Sequence, residues 1–168
     1  MAFDQLSLLS EATRTVARKS IEKVSVRGAP TAFLSHSHKD AQLAKGLQAR
    51  LNRLGWDVYI DWEDTSMPDR PNAVTADKIR RKIVQLDLFL FLATQNSMTS
   101  RWCPWELGYA DGKKANRSIM IVQTSAGGVT YGNEYLELYR HVDETSSGGI
   151  GHFFNHKDGH LLRGAVRP

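Results

Sequence analysis

The chain holds a single cysteine, Cys103, in 168 residues, so an internal disulfide framework is excluded. A reducing compartment, the cytoplasm, is the expected location. No apolar run approaches the roughly 20 residues that cross a bilayer; the longest, LFLFLA at 88–93, is the length of a buried strand. Asp4 and Glu11 interrupt the first residues, and no apolar core leads to a small-residue cleavage site, so a secretory signal is not expected. Charge of one sign is scarce too, with 22 Lys and Arg against 18 Asp and Glu. Basic residues gather only at KIRRK (78–82) and KKANR (113–117), which is thinner than a nucleic-acid stripe. Neither a nucleic acid nor a membrane is an expected partner.

What is present is an alternation of apolar strands and amphipathic helices. FDQLSLLSEATRTVARKSIEKV (3–24) spaces Phe3, Leu6, Leu9, Val16, Ile21 and Val24 as a helix and ends at RGAP (27–30), so residues 1–28 are expected as a helical extension ahead of a domain at 29–168, either packing on its body or carrying a partner contact. TAFLS (31–35) is a strand, and DAQLAKGLQARLNRLG a helix with Asp40 as its cap, Leu43, Leu47, Leu51 and Leu54 on one face and Gly55 as its stop. WDVYID (56–61) is a second strand, followed by the proline-bearing loop 62–72 and a helix striped by Ile79, Ile83 and Leu86. DLFLFLAT (87–94) and SIMIVQT (118–124) are further strands. YLELYRHV (135–142) is expected as an edge strand, GHFFNHKDGHLL (151–162) as a closing helix, and the glycine-rich 127–132 and 146–151 as mobile loops. This order predicts a flavodoxin-like α/β fold, a three-layer sandwich with a parallel central sheet and helices on both faces. Ligands in such folds collect beyond the carboxyl ends of the strands. That rim carries SHSHKD, DWEDTSMP and TQNSMTSRWCPWE.

AFLSHSHKD, GWDVYIDWED and DLFLFLATQNSMTSRWCPWELGYADGKK, in that order, resemble the boxes of Toll/interleukin-1 receptor (TIR) domains of the bacterial stand-alone type, including the Trp-x-x-x-Glu element at Trp102 and Glu106. The resemblance covers about residues 29–125 and then fades, GHFF being only a weak counterpart of the family's third box. It implies an enzyme that cleaves NAD+ at the nicotinamide–ribose bond, with NAD+ as substrate and no cofactor. It also implies release of ADP-ribose or a cyclic or conjugated signal, self-association through TIR–TIR contacts, a separate effector that senses the product, and a place in prokaryotic antiviral defence. The alternative is a TIR adaptor that assembles without chemistry.

By that resemblance Glu106 is the catalytic carboxylate. NAD+ needs only one, because its leaving group departs as neutral nicotinamide without an acid, unlike an ordinary glycoside. A desolvated carboxylate then stabilises the ribosyl cation, and Trp102 supplies a ring against nicotinamide or ribose. The bland alternative is that Glu106 merely complements a helix dipole. Either Ser100 caps that helix, leaving Trp102 and Glu106 four apart on one face, or Cys103 caps it with Trp102 just outside. Phe33 and Ser35 point the same way on their strand, and Ser35 meets either a ribose or phosphate oxygen or local backbone. His36 contacts the dinucleotide or is plain surface. His36 and His38 lack a third ligand, and His152, His156 and His160 lack a carboxylate or Cys partner, so no metal is expected. Asp61 and Trp62 open the loop expected to gate the site. A phospho-acceptor reading of Asp61, Glu63 and Asp64 fails because the position after the third strand is Thr94.

Overall fold

The computed structural model describes residues 1–17, 30–68, 72–132, 134–144, 150–153 and 160–161. In chain order the elements are β1 (Phe3–Asp4), α1 (Gln5–Ala17), β2 (Thr31–Ser35), α2 (Ala41–Arg53), β3 (Asp57–Tyr59), α3 (Ala73–Gln85), β4 (Leu88–Ala93), α4 (Gln95–Met98), α5 (Trp102–Asp111), β5 (Ile119–Ala126), β6 (Val129–Tyr131), β7 (Arg140–Glu144), β8 (Ile150–Phe153) and β9 (His160–Leu161). The sheet runs β3-β2-β4-β5-β7-β8-β9, with β1 and β6 also paired to β5. The five strands from β3 to β7 are mutually parallel. Numbered among themselves they stand in the order 2-1-3-4-5, the doubly wound arrangement whose chain direction reverses between β2 and β4.

Strand alternation divides the core into two layers. Ala32, Leu34, Leu90, Leu92, Met120 and Val122 pack on one face with Leu8 of α1 and Leu43, Leu47 and Leu51 of α2. Their neighbours Phe33, Phe89, Phe91, Ile119 and Ile121 point to the other face, against Ile79 and Ile83 of α3 and Cys103, Leu107 and Ala110 of α5. Every second side chain therefore serves a different layer, which is why β4 reads as an unbroken apolar run. The expected three-layer α/β sandwich is the observed one.

Local chemistry sets the helix ends. The Asn72 side chain accepts from the N–H groups of Val74 and Thr75, while the Asn72 N–H donates to Thr75 Oγ1, a reciprocal capping box that starts α3. The chain leaves α2 through Gly55 at φ 84°, a left-handed step that glycine takes without strain.

Four expectations are corrected. The expected N-terminal helix begins only at Gln5: Phe3 pairs with Thr124 of β5 in parallel register, and α1 packs on α2. Its buried face is Phe3, Leu8 and Ala12, whereas Leu6 and Leu9 are exposed, because a strand precedes the helix and shifts the phase. The fit is close, since a Cβ on Gly46 of α2 would lie 1.9 Å from the Leu8 carbonyl oxygen. Residues 18–29, the end of the expected helix, lie outside the described residues. YLELYRHV is no edge strand: Glu134–Leu138 forms a 3-10 turn and β7 is interior, between β5 and β8. The expected closing helix at 151–162 is corrected by β8 and β9, antiparallel strands that place His152 opposite His160; His156 lies outside the described residues. GGVTYG forms a hairpin in which Gly127 and Gly128 take φ of 57° and 81° between β5 and β6. The other glycine-rich segment is described only from Ile150 onward.

Candidate active site

A small cleft opens at the carboxyl end of β2, where the winding reverses, and is lined by His36, His38, Asp61, Thr75, Ile79, Ser100, Trp102 and Glu106. Each loop after β2, β3 and β4 contributes, and α3 closes the far wall. Parallel strands deliver their carboxyl ends to one edge, so residues distant in sequence meet there.

Glu106 is the centre of the arrangement. The Ser100 hydroxyl oxygen accepts from the N–H groups of Trp102 and Cys103, which starts α5 at Trp102. Trp102 and Glu106 consequently lie four apart on one helical face, and both reach the cleft. The Ser35 hydroxyl donates to Glu106 Oε2 at 2.6 Å, the length of a strong bond to a carboxyl oxygen. Glu106 is only 5% exposed. Burial, opposed by the Ser35 hydrogen bond and assisted by the nearby charge of Asp61, pushes its pKa up to about 8. At pH 7 that carboxyl is mostly protonated.

The wall around it is ordered by hydrogen bonds. His36 is buried and has both ring nitrogens engaged: Nδ1–H donates to the Leu34 carbonyl at 3.1 Å, and Nε2 accepts from the Trp62 indole N–H at 2.9 Å. That pair of bonds fixes one neutral tautomer, and burial lowers the His36 pKa further. Asp61 lies 3.8 Å from His38 Nε2. Trp102 meets Trp105 edge to face at 5.3 Å, and Trp105 stacks on Tyr109 at 6.2 Å under the Arg80 guanidinium. Asp40 does not cap α2 with its side chain as expected; its carboxylate accepts from Thr94 Oγ1 at 2.5 Å and Asn96 Nδ2 at 2.6 Å. These bonds tie the loop after β2 to the loop after β4.

Of the residues singled out from sequence, Glu106, Trp102, His36 and Asp61 share the cleft wall. Ser35 lies directly behind Glu106 and bonds to it, so its hydroxyl hydrogen is spent on that carboxyl. Trp62 braces the wall through His36 while remaining 43% exposed. Phe33 stays in the core, stacked on Phe89 at 5.7 Å, because its strand position faces the α3–α5 layer. Thr75, Ile79 and Ser100 are wall residues that sequence reasoning missed; Ile79 and Thr75 share the inward stripe of α3, which was the available signal. Cys103 is buried beside this site, and burial pushes its thiol up to about 11, the behaviour of a core residue and not of a nucleophile. Among the described residues, no group of three or more His, Cys, Asp or Glu side chains converges as metal ligands, and no helix is long and apolar enough to cross a membrane.

A doubly wound sheet with a sheltered carboxyl at its switch point puts that carboxyl where open α/β sheets hold ligands. A family model described as TIR domain matches residues 32–147, well over half the chain, and the protein belongs to the TIR-domain family. It is 40% identical over 113 residues to a Bacillus cereus (strain MSX-D12) protein named "Probable 3' cyclic ADP-D-ribose synthase ThsB'", covering 66% of this chain and 58% of that one. It is 30% identical over 96 residues to the candidate cyclic ADP-D-ribose synthase TIR2 of Cytobacillus dafuensis, covering 55% of this chain and 25% of that one. The chain thus spans little more than half of the first relative and a quarter of the second.

Proposed function

We propose that the protein cleaves NAD+ at the nicotinamide–ribose bond and passes the ADP-ribosyl group to an oxygen acceptor. Transfer to a hydroxyl of the same molecule gives a cyclic ADP-ribose, and transfer to water gives ADP-ribose. The observation that carries this reading is Glu106, buried in a ring-walled cleft with its carboxyl held by Ser35. As the C1′–N bond lengthens, positive charge moves from the pyridinium onto the ribose, and nicotinamide leaves as a neutral molecule. An ionised carboxylate in a water-poor cleft stabilises that sugar cation more strongly than one in bulk water. Trp102 offers a flat face to a cationic ring or a wall to the ribose. The names of the relatives support cyclisation as the branch to look for first.

The wider role we assign rests on family resemblance: a cytoplasmic defence enzyme of prokaryotes, active on self-association through TIR contacts, whose product signals to a separate effector. The test is incubation of concentrated protein with NAD+, followed by liquid chromatography with mass detection. Nicotinamide is expected in step with a cyclic product. Absence of nicotinamide at every protein concentration would favour an adaptor that assembles without turnover.

Ser35 gives a second, finer check. Its hydrogen bond lowers the Glu106 pKa, so Ser35→Ala moves that pKa further up. A hydrogen bond to a charged group contributes about 1.5–3 kcal/mol, which corresponds to about 1–2 pH units. The rising limb of the pH–rate profile for nicotinamide release is expected to shift alkaline by that amount, with a lower rate at pH 7. A limb that stays in place would mean the hydroxyl does not act on Glu106.

A further inference from the structure

The 3-10 turn Asp61–Glu63 is clamped to its neighbours. The Trp62 indole is tied to His36, Gln48 Nε2 donates to Glu63 Oε2 at 2.7 Å, and the Lys45 ammonium pairs with Glu63 while lying 5.4 Å from the Trp62 ring centroid. These ties on Trp62 and Glu63 hold the preceding residue, Asp61, on the same cleft wall as Glu106.

The hydrogen-bond inventory of that wall narrows the proton acceptors. His36 has both nitrogens occupied. The hydroxyl oxygens of Ser35, Thr75 and Ser100 are neutral and far too weakly basic to keep a proton at neutral pH. Glu106, Asp61 and His38 remain. Any oxygen that attacks C1′ must shed its proton, and a carboxylate that takes it becomes neutral. If Glu106 took that proton, its charge would vanish while the ribose still needed it. Two carboxylates in one cleft allow the duties to be separated.

We infer that Asp61 is a second catalytic carboxylate, the base that removes the proton from the acceptor hydroxyl or water while Glu106 stabilises the ribosyl cation. The proposal rests on the NAD+-cleavage reading above. In the step, an acceptor lone pair forms the new C1′–O bond, the C1′–N pair leaves with nicotinamide, and the acceptor proton passes to the Asp61 carboxylate. His38, 3.8 Å away with its side chain 67% exposed, gives that proton a route to solvent. The balance is NAD+ plus an O–H acceptor giving neutral nicotinamide, the O-ribosyl product and one proton.

The test exploits a reaction that needs no base. Isotopically labelled nicotinamide re-enters NAD+ through its ring nitrogen, which carries no proton to lose, so exchange reports cleavage and its reversal alone. Asp61→Asn is expected to lower the ratio of O-ribosyl product to label exchange about 10²–10⁴-fold, the usual contribution of a general base, while losing the Asp61 charge lets Glu106 ionise more readily and so favours exchange. Asp61→Glu, with a base on a longer arm, should recover part of the product. Equal loss of exchange and product in Asp61→Asn would assign Asp61 to cleavage or folding and overturn the proposal, as would retention of both. A wild-type protein that neither exchanges label nor releases nicotinamide would remove the NAD+ reading itself.

Discussion

Glu106→Gln is expected to lower nicotinamide release by about 10²–10³-fold or more, the scale seen when a group aimed at developing charge is removed. The amide keeps the size of the side chain and can still accept the Ser35 hydrogen bond, so only the negative charge is lost. The same substitution is expected to stabilise the fold. The Glu106 pKa is raised from 4.5 to about 8 in the folded chain, chiefly by burial. The native state then binds a proton that the unfolded state releases across that interval, so this group's contribution to stability falls as pH rises from about 4.5 to about 8 and levels off above. Thermal melts of wild type and variant should nearly coincide at the acid end, diverge through that window in favour of Glu106→Gln, and stay apart beyond it. Loss of turnover with a gain in melting temperature is the mark of a strained functional group. Nicotinamide release equal to wild type would remove Glu106 from the chemistry altogether.

Phe3→Ala is expected to cost about 3–5 kcal/mol, the range for deleting a fully buried aromatic ring. Phe3 is wholly inaccessible, pairs with Thr124, packs in the layer of Leu8, Leu34 and Val122, and has the Arg50 guanidinium 5.8 Å from its ring centroid. Against a total stability of about 5–15 kcal/mol for a typical domain, that is a large share. Urea unfolding should show a single transition moved to lower denaturant. A loss under about 1 kcal/mol would mean the first residues do behave as a detachable appendage.

The contrast between those two residues shows what could be read in advance. Glu106 was visible because a polar residue among rings, on the rim of an alternating strand–helix pattern, is a local signal. The strands at 31–35 and 88–93 and the helices carrying Leu43, Leu47 and Leu51 or Ile79 and Ile83 were visible for the same reason, since their periods are local. Phe3 was misread because its role depends on pairing with a strand more than a hundred residues away, which no window of sequence contains. The expected C-terminal helix fails because histidines at 152, 156 and 160 imitate a helical face, whereas antiparallel pairing of β8 with β7 and β9 decides residues 150–153 and 160–161. The Gly-Gly pair at 127–128, with its flanking alternation, carries a hairpin signal that is local. In the site, both Ser35 and Glu106 were placed on the rim, but their bond depends on where α5 leans against β2. Sequence leaves His36 either a ligand contact or plain surface; two hydrogen bonds, neither foreseeable from neighbours in sequence, make it a brace.

That brace has a chemical consequence. An imidazolium carries hydrogen on both nitrogens, so protonating His36 would set its Nε2–H against the indole N–H of Trp62, donor against donor. Asp61 and Asp40 favour the cation, while His38 and the buried setting oppose it. Acid therefore works as a key: once His36 charges, the bolt holding Trp62 is withdrawn, and the acidic residue beside it loses its anchorage. The cleft described here is the form belonging to neutral and alkaline water.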